Sequence, residues 1–118
     1  MLQHKAAKNL QAGETLAALG LVDPAASRYY YALFQAAVHR LMQRGWTPGR
    51  LRSGAIQWDH TMVMSNILLV RGRRSDRELY ESMRNIREDA DYRDETVDPA
   101  VLARHVSAVR DFVEEATA

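Results

Sequence analysis

Apolar residues recur along this chain every three to four positions, the period of an α-helix that buries one face. No stretch sustains the alternation of a half-buried strand. The first stripe, Leu2, Ala6, Leu10, Gly13 and Ala17, predicts a helix over residues 2–19, ended by Gly20. Asp23-Pro24 is a start signal: a carboxylate accepts from first-turn amides, and proline needs no amide at the first helical position. The helix it opens runs to about residue 44, with Tyr30, Leu33, Phe34, Ala37, Val38 and Leu41 inward. Gly45 ends it, and Trp46-Thr47-Pro48-Gly49 reads as a turn. A third helix falls within residues 53–70, its stripe being Ile56, Val63, Ile67 and Val70, joined by Met64 and Leu68. Arg71-Gly72-Arg73-Arg74 is the loop after it.

Ser75-Asp76-Arg77-Glu78 has the spacing of a capping box, in which Ser75 and Glu78 would satisfy first-turn amides reciprocally. The fourth helix then extends to about residue 92, with Leu79, Met83, Ile86 and Ala90 as its core stripe. Asp98-Pro99 repeats the start signal, and the fifth helix turns Leu102, Val106, Val109 and Val113 inward. The short connections favour antiparallel neighbours. The expectation is one all-α domain over residues 1–118, an antiparallel up-and-down helical bundle of four to five helices.

Composition narrows the chemistry. The 118 residues contain no Cys, which removes disulfides, Cys-ligated zinc, iron–sulfur clusters and thiol catalysis, and fits a reducing cytoplasm. Uncharged stretches such as residues 61–70 reach only about half a membrane span, so no membrane association is expected. Met1-Leu2-Gln3-His4-Lys5 leads into a polar segment, unlike a secretory leader. No cofactor and no metal are expected: His4, His39, His60 and His105 lack partners at ligand spacing on their own helices. No Glu stands three residues before a His, as a bundle-type two-iron site requires.

The formal net charge of +1 hides a strong asymmetry. Residues 28–77 hold nine Arg against Asp59 and Asp76, a net of +7, and residues 78–98 hold eight acids against three Arg, a net of −5. Within the acidic segment, Tyr80, Arg84, Arg87 and Asp91 repeat the spacing of the core stripe and form a second line along its flank. Two guanidiniums and a carboxylate on a half-buried flank suit a bound phosphate. The same spacing also fits a solvated helix face laced by Arg84–Glu88 and Arg87–Asp91 pairs. In Arg28-Tyr29-Tyr30-Tyr31 the three rings cannot all face one core, because successive helical residues turn by about 100°. Arg28 and one of these tyrosines, Tyr31, are candidates to line the cleft of Arg84 and Arg87, the alternative being core-edge packing.

The run Ala26-Ser27-Arg28-Tyr29-Tyr30-Tyr31-Ala32-Leu33-Phe34-Gln35-Ala36-Ala37 resembles the Ser-Arg-x-Tyr-Tyr-Ala-x-Phe-x-Ala-Ala opening of small bacterial and archaeal HEPN-domain proteins. Residues 45–54 are similar to their Gly-x-x-Pro-x-x-His-Ser-Gly loop, with Arg52 where His is usual. Ala90-Asp91-Tyr92-Arg93-Asp94, following Arg84 and Arg87, is similar to their Arg-x-x-Ala-Asp-Tyr-x-Asp helix end. The resemblance implies a helical bundle, often a homodimer, that acts beside a small nucleotidyltransferase. Many such proteins are metal-independent ribonucleases of toxin–antitoxin or defence systems, marked by Arg, a polar residue, a short spacer and His. Arg84-Asn85 matches the first half of that signature, and no His follows any Arg by five to seven residues.

The resemblance therefore implies a partner subunit that binds nucleotide or RNA phosphate through Arg28, Tyr31, Arg84, Asn85, Arg87 and Asp91. Tyr92 stands where the partner enzyme would modify a tyrosine. Two alternatives stay open. One is a toxin ribonuclease with a degenerate motif in which Asp91 replaces His. The other is a dimerisation or docking scaffold without ligand, carrying Arg71, Arg73 and Arg74 at the rim of a partner surface.

Overall fold

The computed structural model describes residues 1–47, 49–50, 56–57 and 60–118. The chain is an all-α helical bundle. Helix α1 (Leu2–Ala18) and helix α2 (Val22–Gln43) form a hairpin whose turn is set by Gly20, at φ 78°. There Gly20 N donates to Ala17 O and Leu21 N to Leu16 O, which satisfies the last carbonyls of α1. The same pairing ends α2, where Gly45 N donates to Met42 O and Trp46 N to Leu41 O.

Helix α2 runs through the centre and packs against α1, helix α5 (Ser75–Tyr92) and helix α6 (Pro99–Ala116). Its sequence permits this because apolar residues surround it: Ala25, Ala26, Ala32, Ala36 and Ala37 let neighbours approach, and Tyr30, Leu33, Val38 and Leu41 fill the remaining space. Close approach also explains Gly13, where a Cβ would lie 3.1 Å from the Tyr29 ring. The stripes of α5 and α6 bury Leu79, Met83, Ile86, Leu102, Val109, Phe112 and Val113, with Ala90 and Val106 half-buried at the edge.

Several local expectations are corrected. The third helix is two short ones, α3 (His60–Ser65) and α4 (Leu68–Arg71). Between them Asn66 Nδ2 donates back to Met62 O and the ladder shifts to tighter bonds, such as Leu69 N to Asn66 O. The break keeps Val63, Ile67 and Val70 inside and turns Leu68 out, to 48% exposure. Ile56 belongs to a two-residue strand, β2 (Ile56–Gln57), antiparallel to β1 (Gly49–Arg50), and not to the helix. Residues 53–55, where that helix was expected to begin, and Pro48 and Arg52 of the resemblance lie outside the described residues.

The three start signals have different fates. Asp98 caps α6 as expected, accepting from Ala100 N at 2.9 Å with Pro99 behind it. Asp23 does not cap α2, which begins at Val22; its carboxylate instead accepts from Val97 N at 2.9 Å. The capping box at Ser75 does not form either, because Arg74 is already in the helical region and no side chain caps it. Asp76 is 1% exposed and receives a bidentate pair from Arg71, at 2.8 Å from Nε and 2.7 Å from Nη2. Arg71 also donates from Nη1 to Glu115 Oε2 at 2.6 Å and covers the Phe112 ring. Arg71 is therefore a buried brace between α4, α5 and α6, where the scaffold reading had placed it at an exposed rim.

Candidate functional site

The crossing of α2 and α5 places the second line of α5 against the tyrosines of α2. Tyr80 is fully buried, and Arg84, Arg87 and Asp91 follow it along the helix, with Arg87 the most buried of the three. The Arg87 guanidinium lies over the rings of both Tyr30 and Tyr31, 5.4 Å from each centroid. Its Nη2 donates to the Tyr31 hydroxyl at 3.2 Å. Its Nε is 3.2 Å from Asp91 Oδ2 but makes no hydrogen bond, so that contact is one of charge alone. Asp91 in turn accepts from Ser27 Oγ at 2.7 Å, which ties the end of α5 to the start of α2. Burial works against the charge of Arg87, and the fields of Tyr31, Asp91, Tyr30 and Tyr92 outweigh it, leaving the guanidinium pKa above its ordinary value.

Arg84, one turn earlier, is held among the described residues by a 3.5 Å charge contact with Glu88. Both expected (i, i+4) pairs are thus present, but the flank is no solvated face: the Arg87 side chain is 16% exposed. Of the other residues singled out in the sequence, Tyr31 joins the cluster through its bond to Arg87. Arg28 is exposed and turned toward α1, where Nη1 donates to Asn9 Oδ1 at 3.3 Å. Asn85 is exposed on α5, and Tyr92, the last residue of that helix, is 76% exposed.

Three residues not assigned a ligand role from the sequence, Tyr30, His60 and Tyr80, complete the site. The Tyr30 hydroxyl shares hydrogen bonds with His60 Nδ1 and, at 3.1 Å, with the Tyr80 hydroxyl. The His60 ring also packs on Phe34, 4.5 Å between centroids. Burial raises the pKa of Tyr30 and of Tyr80, and the nearby Arg84 and Arg87 offset this only in part, so both hydroxyls stay protonated at neutral pH. Tyr80 stands on the line that the spacing of α5 marks, but the spacing alone gives its hydroxyl no role. No local signal points to His60, because α3 brings it to α2 from a separate part of the chain.

The site is thus two arginines one turn apart on α5, bordered by tyrosine hydroxyls, an imidazole and one carboxylate. This set can bind an anion and, through His60, exchange a proton near it. Among the described residues no group of three His, Asp or Glu gathers as a metal site. No helix among the described residues is long and apolar enough to cross a membrane. No protein-family model matches this chain, and no curated protein matches it.

Proposed function

We propose that this chain is a HEPN-type protein of the cytoplasm that binds nucleotide or RNA phosphate at Arg84 and Arg87, as the homodimeric partner of a small nucleotidyltransferase. The observation that carries the reading is Arg87: a mostly buried cation with five donors, of which only the bond to Tyr31 is made among the described residues. A phosphate oxygen would accept from the remaining donors, and Arg84 would contribute a second fork one turn away. Asp91, held by Ser27, balances the charge when the site is empty. The exposed Tyr92 phenol at the end of α5 is the group offered to the partner enzyme. Titration with ATP and with a short single-stranded RNA tests the binding: affinity should fall with rising salt and drop at least tenfold in Arg84→Ala. Absence of binding at low salt would overturn it.

A second reading is favoured by His60. Its ring sits in the same cluster, on an element the Arg-spacer-His signature does not reach. In this reading the chain is a metal-independent ribonuclease with His60 handling protons, in place of Asp91, which is committed to Ser27 and Arg87. RNA cleavage that persists in chelator and is lost in both His60→Ala and Arg84→Ala is the expected result; cleavage surviving Arg84→Ala would remove the idea.

A further inference from the structure

A cavity of about 290 Å³ opens on the other side of Tyr31, lined among the described residues by Leu2, Lys5, Tyr31, Phe34, Gln35 and His60. Its volume is at the low end for small-molecule sites and suits one nucleobase or nucleoside. Three of the six lining residues are aromatic, and a flat heteroaromatic ring stacks well on such walls. Tyr31 belongs to both places: its ring lines the cavity, and its hydroxyl accepts from Arg87. A ligand with a planar base and a phosphate could occupy both.

Two polar groups of the cavity, Gln35 and Lys5, have a definite sense. A guanidinium can only donate, so Arg28 fixes the oxygen of Asn9 toward itself, Nη1 to Oδ1 being 3.3 Å. The Asn9 amide nitrogen then faces Gln35 and donates to Oε1 at 2.8 Å. With its acceptor engaged, Gln35 has its NH2 to offer, and Lys5 is a donor with no acceptor capacity at all. Gln35 and Lys5 therefore offer donors to acceptors on the ligand edge, beside the Tyr31 and His60 rings. Guanine presents two, N7 and O6, on one edge; adenine sets an amino donor beside N7, which would oppose a donor of the wall.

Resting on the phosphate reading above, we propose that this cavity holds the guanine base of a nucleotide whose phosphate lies on Arg84 and Arg87. Arg28 is then a positioning residue, acting through Asn9 on the orientation of Gln35. The nucleotide is either free or part of a single-stranded RNA, and the two sources share this chemistry.

Calorimetric titration of the full chain with GMP, AMP, guanosine and a short RNA carrying one guanine provides the test. GMP should bind roughly tenfold more tightly than AMP. Gln35→Glu, whose carboxylate still accepts from Asn9 but offers no NH2, should abolish that preference. Arg28→Met, at an exposed position, should reduce the GMP-to-AMP ratio severalfold with an unchanged thermal melt. Equal affinities for GMP and AMP, or a preference that survives both substitutions, would overturn the guanine site. If Arg84→Ala still weakened both nucleotides, the phosphate reading would stand. Guanosine binding that matches GMP and ignores Arg84→Ala would instead remove the phosphate reading and keep the cavity. Tight GMP with weak RNA identifies the free nucleotide as the ligand, and the reverse identifies RNA; either outcome supports the site.

Discussion

Arg71 and Arg87 are both largely buried, and both lie over aromatic rings, yet they commit their donors in opposite ways. Arg71 uses all three guanidinium nitrogens on Asp76 and Glu115. Arg87 makes one hydrogen bond, to Tyr31, and keeps a buried Nε that bonds to nothing among the described residues. The first arrangement closes an ion-pair network in which two carboxylates neutralise the guanidinium and take three of its five N–H donors. The second keeps a cation in place with its recognition capacity intact. Burial and charge alone do not separate a brace from a binding site; the number of donors left over does.

The largest expected effect belongs to the brace. Arg71→Met leaves Asp76 buried without its counter-charge and should cost about 3–5 kcal/mol, read as a shift of the urea midpoint. The double variant Arg71→Met/Asp76→Leu should recover most of that loss, since an apolar pair of similar volume needs no compensation. If the single variant melted like the parent, Arg71 would not be the brace described. Arg87→Met should show the opposite profile: a stability loss of about 1 kcal/mol or less, with at least a tenfold loss of nucleotide affinity. Equal loss of stability in the two single variants would erase the distinction between them.

The tyrosines beside Arg87 give a pH test of intermediate size. Tyr80 ionises near 10 in the unfolded chain and stays protonated above that in the folded one, because burial raises its pKa. Above pH 10 the folded state thus holds the extra proton, and stability should fall by about 1.4 kcal/mol per pH unit for that group. Tyr80→Phe should flatten urea midpoints measured from pH 9 to 11; an unchanged slope would place the alkaline loss elsewhere. The smallest effect is at the acid end. Glu115, whose pKa is lowered first by its hydrogen bond from Arg71, contributes stability that is present above the ordinary carboxylate pKa and lost as pH falls through the folded one. Glu115→Gln should slightly reduce the acid sensitivity of melting, read as a smaller drop of the midpoint between neutral and acid pH.

The helices were legible in the sequence wherever burial and periodicity agree. The stripes of α2 and α5 lie where the 3.6-residue pattern puts them, and the second line of α5 does meet α2 as its spacing suggested. Start signals were less legible, since the same Asp-Pro pair caps α6 and does not cap α2. What decides is tertiary: Asp23 has Val97 N within reach, and a carboxylate that finds a buried donor elsewhere is drawn away from its own helix. At the start of α5 the expected pairing of Ser75 with Glu78 is likewise absent, and Asp76 between them pairs with a buried guanidinium on α4. His60 and Gln35 could not be found at all by spacing. Their meaning comes from Tyr30 in one case and from the Arg28–Asn9 relay in the other, and both are contacts between elements.

The bond from Val97 N to Asp23 also bears on how the molecule opens. Residues 92–96 are exposed, and Val97 is the first buried point after α5. A protease can cut this connection only when Val97 leaves its pocket and gives up the carboxylate on α2. Cleavage there would therefore report the detachment of α6 from α2 and not the mere wobble of a surface loop. The segment that looks most vulnerable in the chain is thus a gauge of how firmly the last helix is seated.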